Sequence, residues 1–329
     1  MGWDTWLTVY PLVSHAESVS IKKTVSENRG GKIMKQEWST PAARLTETLR
    51  LTDDWDESEL RGNYVGFASD FRPTRYVECP FKTEGDLAAL EYLFPFGASR
   101  DEEEIKKDYD EKRALADEFG VPLLAQVDSG MDWLLWLFPA EEQIYRVNDE
   151  PSFIKKILEA INGAKFERLK YILKLGVDGV IRRGWYETAD FWSPAILREF
   201  ARPQLEREIK ATHEAGSVFI YTIDTGVKPI ADDLASLGID CLNGVDPVRN
   251  KMPAREIKKA FPETTLWGGL SGPFHFGADN PRAAEDAVRD AFAAYGKRRL
   301  ILGMACSYRH YYPFENFLAA EEAWKKLRQ

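Results

Sequence analysis

Cysteine is scarce in this chain, which has only three: Cys79, Cys241 and Cys306. Three cysteines at such wide spacing cannot build the framework of bridges that holds small secreted domains together, so we expect a reducing compartment, the cytoplasm. Long apolar runs are missing too, because no stretch approaches the ~20 residues that a membrane-spanning helix needs. The start of the chain lacks a basic segment followed by an apolar one, which predicts that there is no signal peptide.

Positive charge is also in deficit: 44 lysine and arginine residues stand against 53 aspartate and glutamate residues, a net charge of −9. A protein needs a basic excess to neutralise phosphates, so we expect neither nucleic acid nor a membrane surface as a partner. Aromatic residues, in contrast, are plentiful, with 10 Trp, 13 Tyr and 18 Phe. This content suffices for a large core, and 329 residues fit one large α/β barrel or two ordinary domains.

Short apolar runs alternate with helix-like segments through the last two-thirds of the chain. The runs cover residues 121–127, 178–182, 218–222, 241–243, 265–270 and 300–304. Strands that alternate with helices in this way predict βαβ units with a parallel sheet and right-handed crossovers. So many units in one chain predict an α/β barrel of the TIM type, whose functional side chains lie on the loops that follow the strands.

The first hundred residues have a different pattern. The strands predicted there cover residues 6–10, 18–27, 32–40, 44–51 and 75–79. Gly30 and Gly31 suit a hairpin turn between two of these strands, which are rich in Val, Ile and Thr. We therefore predict one barrel domain over residues 1–329, with an antiparallel flap and loop inserted at 18–79.

One helix of the barrel has clear boundary signals. Ser193 followed by Pro194 predicts the start of this helix, and Gly216 predicts its end. Pro203 lies between them and predicts that the helix is kinked or divided in two, because proline cannot donate a backbone hydrogen bond.

Five short motifs are distributed along the chain in a characteristic order. They are the segment 80–87, Phe191-Trp192-Ser193-Pro194, Val245-Asp246-Pro247, Leu266-Trp267-Gly268-Gly269-Leu270 and Pro313-Phe314-Glu315-Asn316. Their order and spacing, over roughly residues 76–327, resemble the uroporphyrinogen decarboxylase superfamily, which also contains the cobalamin-dependent methyltransferases. The resemblance implies a (β/α)8 barrel with its active site at the carboxyl ends of the strands.

The resemblance also implies which strands of the barrel this chain supplies. The six apolar runs correspond to the third to eighth strands of the family, and residues 6–10 correspond to the second. The family's first strand has no counterpart, so we expect seven strands of the barrel series with the first one missing. N-terminal residues or a neighbouring chain would fill the gap, or it would stay open.

The first question that the resemblance raises is whether the chain binds zinc. Thiol-alkylating methyltransferases of this superfamily hold zinc with a His-x-Cys pair after the fifth strand and a later Cys, leaving the fourth position for the substrate. Here Tyr221, Thr222 and Ile223 occupy the place of the pair, and only Cys306 falls on the later position. We therefore expect no metal, with Cys306 as a ligand only if zinc is present. The competing interpretation of Cys306 is a small buried apolar residue.

The decarboxylases of the superfamily use a different set of residues: arginines after the first strand, an aspartate after the second, a tyrosine after the third and a histidine after the eighth. Around residues 9–12 this chain has no aspartate, and Cys306 stands at the histidine position, with His310 four residues on. Decarboxylation of a porphyrinogen is therefore the alternative prediction. A barrel that binds a ligand or a partner without catalysis is the third.

Eleven residues are predicted at the barrel mouth. Those predicted to be catalytic are Tyr221, Asp224, Glu187 and Cys306, and those predicted to bind substrate are Arg182, Arg183, Trp185, Tyr186, Asp128, Asp246 and His310. Arginine can bind a carboxylate bidentately, and adjacent aromatic side chains suit a small or flat organic ligand. The competing interpretations are a salt bridge from Arg182 to Glu187 or Asp128, and a lid formed by residues 185–187.

These observations predict an enzyme that carries out corrinoid-dependent methyl transfer with a small organic substrate. The resemblance implies a corrinoid as cofactor, either alone or on a corrinoid protein as partner. It also implies a homodimer, since members of the superfamily are often dimers.

Overall fold

The computed structural model describes residues 5–11, 13–28, 30–53, 55, 66–67, 72–97, 101–305 and 309–328. The chain divides into two compact units. The sheet unit comprises Met1–Thr8, Lys112–Val127 and Gly176–Gln329, and the flap unit comprises Val9–Glu111 and Asp128–Leu175.

The strands form two sheets. One has seven strands in the order β1 (Leu7–Val9), β6 (Leu123–Val127), β7 (Gly179–Arg183), β8 (Val218–Thr222), β9 (Cys241–Val245), β10 (Thr265–Leu270) and β11 (Leu300–Met304). The other has four strands in the order β2 (Ser20–Asn28), β3 (Gly31–Ser39), β4 (Arg44–Leu51) and β5 (Tyr76–Glu78). All neighbours from β6 to β11 pair in parallel, and all neighbours from β2 to β5 pair antiparallel, as predicted.

The seven-stranded sheet is curled. Trp6, next to β1, contacts Trp267 of β10 edge to face, with ring centroids 4.7 Å apart. Leu124 of β6 belongs to the same apolar cluster as Trp267, although four strand spacings, about 19 Å in a flat sheet, would separate β6 from β10. The curl and the parallel order confirm an α/β, TIM-like fold. The described residues supply seven strands of the series, and an eighth is not among them.

Side chains alternate between the two faces of this sheet. Ile181, Ile220 and Cys241 stand side by side on adjacent strands and form the apolar cluster with Leu124 and Trp267. Because these residues come from strands across the curl, their face is the interior face. The residues between them in sequence, such as Phe219 on β8, lie on the opposite face and are fully buried.

Helices and single turns connect the strands. The helices are α1 (Leu90–Leu93), α2 (Glu102–Phe119), α3 (Asp132–Leu137), α4 (Ala140–Asp149), α5 (Pro151–Leu175), α6 (Pro194–Ile196), α7 (Arg202–Glu214), α8 (Ala231–Ala235), α9 (Ala254–Ala260), α10 (Pro281–Tyr295) and α11 (Phe314–Leu327). Shorter helical turns cover Glu84–Ala89, Leu197–Ala201, Lys228–Ile230 and Gly272–Phe276. Among the described helices, none has both the length and the apolar character needed to cross a membrane.

The predicted division of one helix at Pro203 is confirmed. The Ser193 hydroxyl accepts a hydrogen bond from the Ile196 amide and so caps α6, whose first residue is Pro194. A wide turn at 197–201 then separates α6 from α7, and Pro203 takes the second position of α7. In the wide turn the Arg202 amide donates to the Leu197 carbonyl, five residues back. This departure from the regular four-residue pattern accommodates Pro203, which has no amide hydrogen to donate. Gly216 follows α7 with φ of 76°.

The flap unit contains a buried polar network beneath its antiparallel sheet. Arg72 and Glu47 form an ion pair in which both side chains are completely buried. Arg72 also donates to the Gly66 carbonyl at 2.8 Å, and Gln36 donates to Glu47 at 3.3 Å. Burial raises the pKa of Glu47, an effect that the Arg72 charge opposes. The network therefore ties Gly66 and Arg72 to β3 and β4, the two central strands of the sheet.

Candidate active site

A row of four side chains crosses the interior face on four adjacent strands. Arg183, Thr222, Asn243 and Trp267 stand side by side in the pairing of β7, β8, β9 and β10. The first two follow the interior residues Ile181 and Ile220 by two positions, so all four share the interior face. Asn243 Nδ2 donates to Thr222 Oγ1 at 3.3 Å. We call these four residues the interior row.

Asp224 lies just beyond this row. Its Oδ1 is 2.7 Å from the position that a Cβ would take at Gly244 of β9, where φ is +90°. The carboxylate therefore reaches over the neighbouring strand, and only glycine leaves room for it. Burial raises the pKa of Asp224 to about 6; Arg249, 3.6 Å away, lowers it and Asp246 raises it further. A carboxyl group with this pKa can exchange a proton near neutral pH.

Asp246 and Ser271 follow the next two strands, β9 and β10, and both are completely buried. Asp246 Oδ1 accepts hydrogen bonds from the amides of Val248 and Arg249, both at 2.9 Å. Asp246 Oδ2 and Ser271 Oγ are buried and have no partner within the described part of the chain. One carboxylate oxygen and one hydroxyl at the strand ends are therefore left for a water molecule or a ligand.

His275 stands in the turn after β10. Its Nδ1 accepts a hydrogen bond from the Ser271 amide at 2.9 Å, so the proton of the neutral ring is on Nε2. Burial lowers the pKa of His275, against the charge of Asp246. The ring is therefore neutral at physiological pH, and through the Ser271 amide it holds the turn that follows β10.

Arg182 belongs to a separate network on the helix side of the sheet. Its Nη2 donates to Glu187 at 2.8 Å and its Nε to Glu208 of α7 at 3.3 Å, while Nη1 donates to the Arg183 carbonyl. The Tyr221 hydroxyl donates to the other oxygen of Glu187 at 2.8 Å. Burial acts to lower the pKa of Arg182, but Glu187 and Glu208 outweigh it and raise the pKa above its ordinary value.

This network divides the predicted mouth residues into two groups. Arg182 pairs with Tyr221 across β7 and β8, one position away from the interior residues Ile181 and Ile220. Arg182 and Tyr221 therefore face the helices, and the salt bridge from Arg182 to Glu187, the competing interpretation, is present. The catalytic roles of Tyr221 and Glu187 stay predictions. The space next to them is a cleft of about 30 Å³, which holds no more than one or two water molecules.

The other predicted residues are placed as follows. Arg183 stacks over Trp185, with the guanidinium carbon 5.1 Å from the ring centroid, and Tyr186 packs edge to face on Phe191 at 5.5 Å. In the flap unit, Asp128 pairs with Lys165 at 2.7 Å.

His310 is exposed and packs against Tyr311 with ring centroids 5.5 Å apart. Cys306 lies outside the described residues. Where the structure does describe the chain, no three His, Cys, Asp or Glu side chains converge as a metal site would require.

Sequence reasoning missed Thr222 and Asn243 and used Trp267 only as part of a motif. They can be found by counting every second residue along each strand, starting from a buried interior residue such as Ile220. In parallel strands both faces are apolar, so this period is visible only once the interior face is known.

No protein-family model matches the sequence, and no curated protein is significantly similar to it. Solved structures do match. A methyltransferase from Methanosarcina mazei matches with a TM-score of 0.54 and 19% identity over 66% of this chain and 63% of its own. A B12-independent methionine synthase from Shewanella sp. W3-18-1 matches with a TM-score of 0.48 and 11% identity over 95% of this chain and 77% of its own. A dihydropteroate synthase from Anaplasma phagocytophilum has a TM-score of 0.31, 16% identity, and coverage of 62% and 73%.

These matches bear on the fold. The Methanosarcina methyltransferase supports the TIM-like fold, and this chain spans less than two-thirds of its length. The other two TM-scores are too low to add to the argument. At 19% identity the match supports the fold alone, and that this chain is an enzyme stays a prediction.

Proposed function

We propose that the chain is an enzyme of the uroporphyrinogen decarboxylase superfamily that transfers a methyl group between a corrinoid and a small organic substrate. The observation that carries the proposal is Asp224. Its carboxyl group has a pKa of about 6 and lies beyond the interior row, at the carboxyl ends of parallel strands. This is the end at which barrel enzymes carry out their chemistry. The fold likeness to a methyltransferase and the order of the sequence motifs support the class of reaction.

The residues at the strand ends fit a flat cofactor that approaches from outside. Trp185 after β7 and Phe274 after β10 are exposed aromatic side chains, 36% and 56% accessible. Flat apolar ligands pack on such rings. Of the histidines near these strands, His275 already uses Nδ1 to accept from Ser271. We therefore expect the corrinoid to arrive on a partner protein, with the barrel contributing the substrate and the proton exchange.

The chemistry that a methylated corrinoid would supply, when bound, is an electrophilic methyl group, and the electron pair of the cobalt–carbon bond would stay with the cobalt. The substrate that accepts the methyl group must form a new bond to the methyl carbon and lose the proton that the methyl group replaces. Asp224 takes that proton, because at pH 7 a carboxyl group of pKa about 6 is mostly ionised and still basic enough to accept it. The Asp224 side chain is 22% exposed, so the proton can leave to solvent. In the reverse direction Asp224 donates the proton back.

The test is incubation with free methylcobalamin and a panel of small thiols, phenols and amines, followed by the cobalamin absorbance. We expect loss of the methylcobalamin spectrum with at least one acceptor. Asp224→Asn should lower the rate, because the amide cannot accept the proton. Asp233→Asn is the matched control: Asp233 is on α8, where it pairs with Arg198 at 2.9 Å on the helix side.

Two results would count against the proposal. One is no turnover of methylcobalamin with any acceptor, together with no demethylation of methylated donors by reduced cobalamin. The other is equal loss of rate in both aspartate variants. Turnover of a porphyrinogen without cobalamin would favour the decarboxylase alternative, and binding without turnover would favour the non-catalytic one.

A further inference from the structure

Two consecutive arginines end β7, and they differ in their surroundings. Arg182 is completely buried on the helix side, and its guanidinium nitrogens are engaged by Glu187, Glu208 and a carbonyl. Arg183 follows it and therefore lies on the interior face. The alternation of the strand thus places one arginine in a structural network and the other in the interior row.

Arg183 has no counter-ion within the described part of the chain. Its Nε is buried and without a hydrogen-bond partner there, and its guanidinium lies over the Trp185 ring. The acids at the strand ends are engaged elsewhere: Asp224 is 3.6 Å from Arg249, and Asp246 accepts two backbone amides. A buried donor without a partner carries a free-energy cost of about 1–3 kcal/mol. A ligand that accepts a hydrogen bond from Nε of Arg183 would remove this cost.

The neighbour of Arg183 in the interior row offers a second donor. Thr222 pairs with Arg183 across β7 and β8, about 4.8 Å away between strands. Thr222 Oγ1 already accepts from Asn243, and its own proton has no acceptor among the described residues. A planar guanidinium beside a hydroxyl donor matches the two coplanar oxygens of a carboxylate.

The charges at the strand ends select for a single negative charge. Arg183 and Arg249 contribute two positive charges, and Asp224 and Asp246 contribute two negative charges when both are ionised. Arg249 is already paired with Asp224 at 3.6 Å, which leaves Arg183 as the counter-ion for a ligand. A monoanion is matched by Arg183, whereas a dianion would have a second negative charge without a counter-ion. The chain as a whole has a net charge of −9, so it offers a dianion no general attraction.

We propose that Arg183, with the Thr222 hydroxyl, binds the carboxylate of a small monocarboxylic substrate. This inference rests on the proposed function and names the substrate class of that site. It assigns the anion-binding role to Arg183 alone of the two consecutive arginines. The contact of the guanidinium with the Trp185 ring, 5.1 Å from its centroid, restricts the movement of the Arg183 side chain.

The experiment follows the Nε–H signal of Arg183 by NMR in the full chain labelled with ¹⁵N-arginine, assigned with Arg183→Lys. Acetate, acetamide and inorganic phosphate are titrated separately at pH 7 and constant ionic strength. We expect acetate to shift the signal in a saturable manner, acetamide to have little effect, and phosphate to bind more weakly than acetate. Stabilisation against heat by acetate gives a second measurement that is independent of the label.

Variants distinguish a direct contact between Arg183 and acetate from a general effect of the protein's charge. Arg183→Gln should weaken acetate binding by about tenfold or more, as loss of a charge-assisted hydrogen bond predicts. Arg183→Lys should lose part of this affinity, because lysine keeps the charge and lacks the planar fork. Arg198→Gln makes the same change of net charge on the helix side of the sheet, where Arg198 pairs with Asp233 at 2.9 Å. It should alter the affinity by less than about threefold, because an exposed charge is screened.

Three outcomes would overturn the inference: no saturable acetate shift, equal losses in the Arg183→Gln and Arg198→Gln variants, or tighter binding of phosphate than of acetate. The proposed function fails separately. Acetate binding at Arg183 without any methylcobalamin turnover would retain the site and reject the reaction. Turnover that is unaffected in Arg183→Gln would retain the reaction and reject this substrate class.

Discussion

Replacing each of the two consecutive arginines by methionine should have very different effects on stability. Arg182→Met removes the cation that lies between Glu187 and Glu208, whose side chains are at most 1% exposed. Removing one partner of such a buried ion pair costs about 3–5 kcal/mol, because the remaining charges are buried without compensation. Arg183→Met removes the stacking of the guanidinium on Trp185 and also removes the buried, unpartnered Nε–H group, and these two effects have opposite signs. Its net effect should therefore stay within about 1 kcal/mol.

The assay is urea unfolding followed by tryptophan fluorescence, together with a thermal scan. A loss of 3–5 kcal/mol in a chain of this size corresponds to a decrease in Tm on the order of 10 °C. The triple variant Arg182→Met, Glu187→Gln, Glu208→Gln should recover part of the loss, because it removes the uncompensated charges as well. This recovery distinguishes the electrostatic cause from a simple loss of packing.

Equal effects of the two single variants would refute the reasoning, because the account places their side chains on opposite faces of one strand. A larger loss in Arg183→Met would refute it as well. A triple variant no more stable than Arg182→Met would remove the electrostatic explanation while leaving the assignment of faces intact.

Three further predictions concern other residues. Folding raises the pKa of Asp224 from 3.8 to about 6, so the folded chain binds more protons than the unfolded chain in this pH interval. The stabilising contribution of Asp224 is therefore present below pH 3.8 and lost as the pH rises through 6. Asp224→Asn should flatten this part of the plot of stability against pH. Gly184→Ala should destabilise the chain by about 1–3 kcal/mol, because the new Cβ would lie 2.6 Å from a ring carbon of Tyr221, whose hydroxyl is fixed by a hydrogen bond. Cys79 and Cys241 should resist a thiol reagent at pH 8 in the native chain and react after unfolding, because burial raises the pKa of each to about 12.

Each of these has a control. Asp233→Asn should leave the shape of the pH profile unchanged, and a profile that Asp224→Asn also leaves unchanged would contradict the assigned pKa. Gly85→Ala should be tolerated, since its nearest neighbour would be 3.6 Å away; a similar loss at both glycines would remove the steric explanation. For the thiols, mass spectrometry of labelled peptides is the readout, and rapid native labelling at Cys79 or Cys241 would show that its thiol is accessible.

The sequence alone predicts much of the scaffold and little of the site. The parallel strands, the antiparallel flap and the divided helix around Pro203 all follow from local signals: alternation, turn glycines and a missing backbone donor. What the sequence does not contain is the register between strands. The predicted run ended at Arg182, whereas β7 ends at Arg183. Which of the two arginines enters the interior row depends on which face of β7 is the interior one, and the sequence does not show this.

The second reason why the sequence predicts little of the site is that some of its contacts join residues far apart in the sequence. Glu208 lies 26 residues after Arg182, and nothing local in either segment marks them as partners. The same holds for Asp224 and Gly244, whose close approach depends on the parallel pairing of β8 and β9. The local sequence pattern therefore predicts that functional residues lie on the loops after the strands. Which residues of those loops come together is visible only in the three-dimensional structure.

The most direct measurement of the central claim is the initial rate of methylcobalamin demethylation between pH 5 and 8, in the natural chain and in Asp224→Asn. The account predicts a rate that rises with pH around pH 6 in the natural chain, as the Asp224 carboxylate becomes able to accept a proton. It predicts a low rate without that step in the variant. A rate that does not depend on pH, or the same rise in both chains, would contradict it.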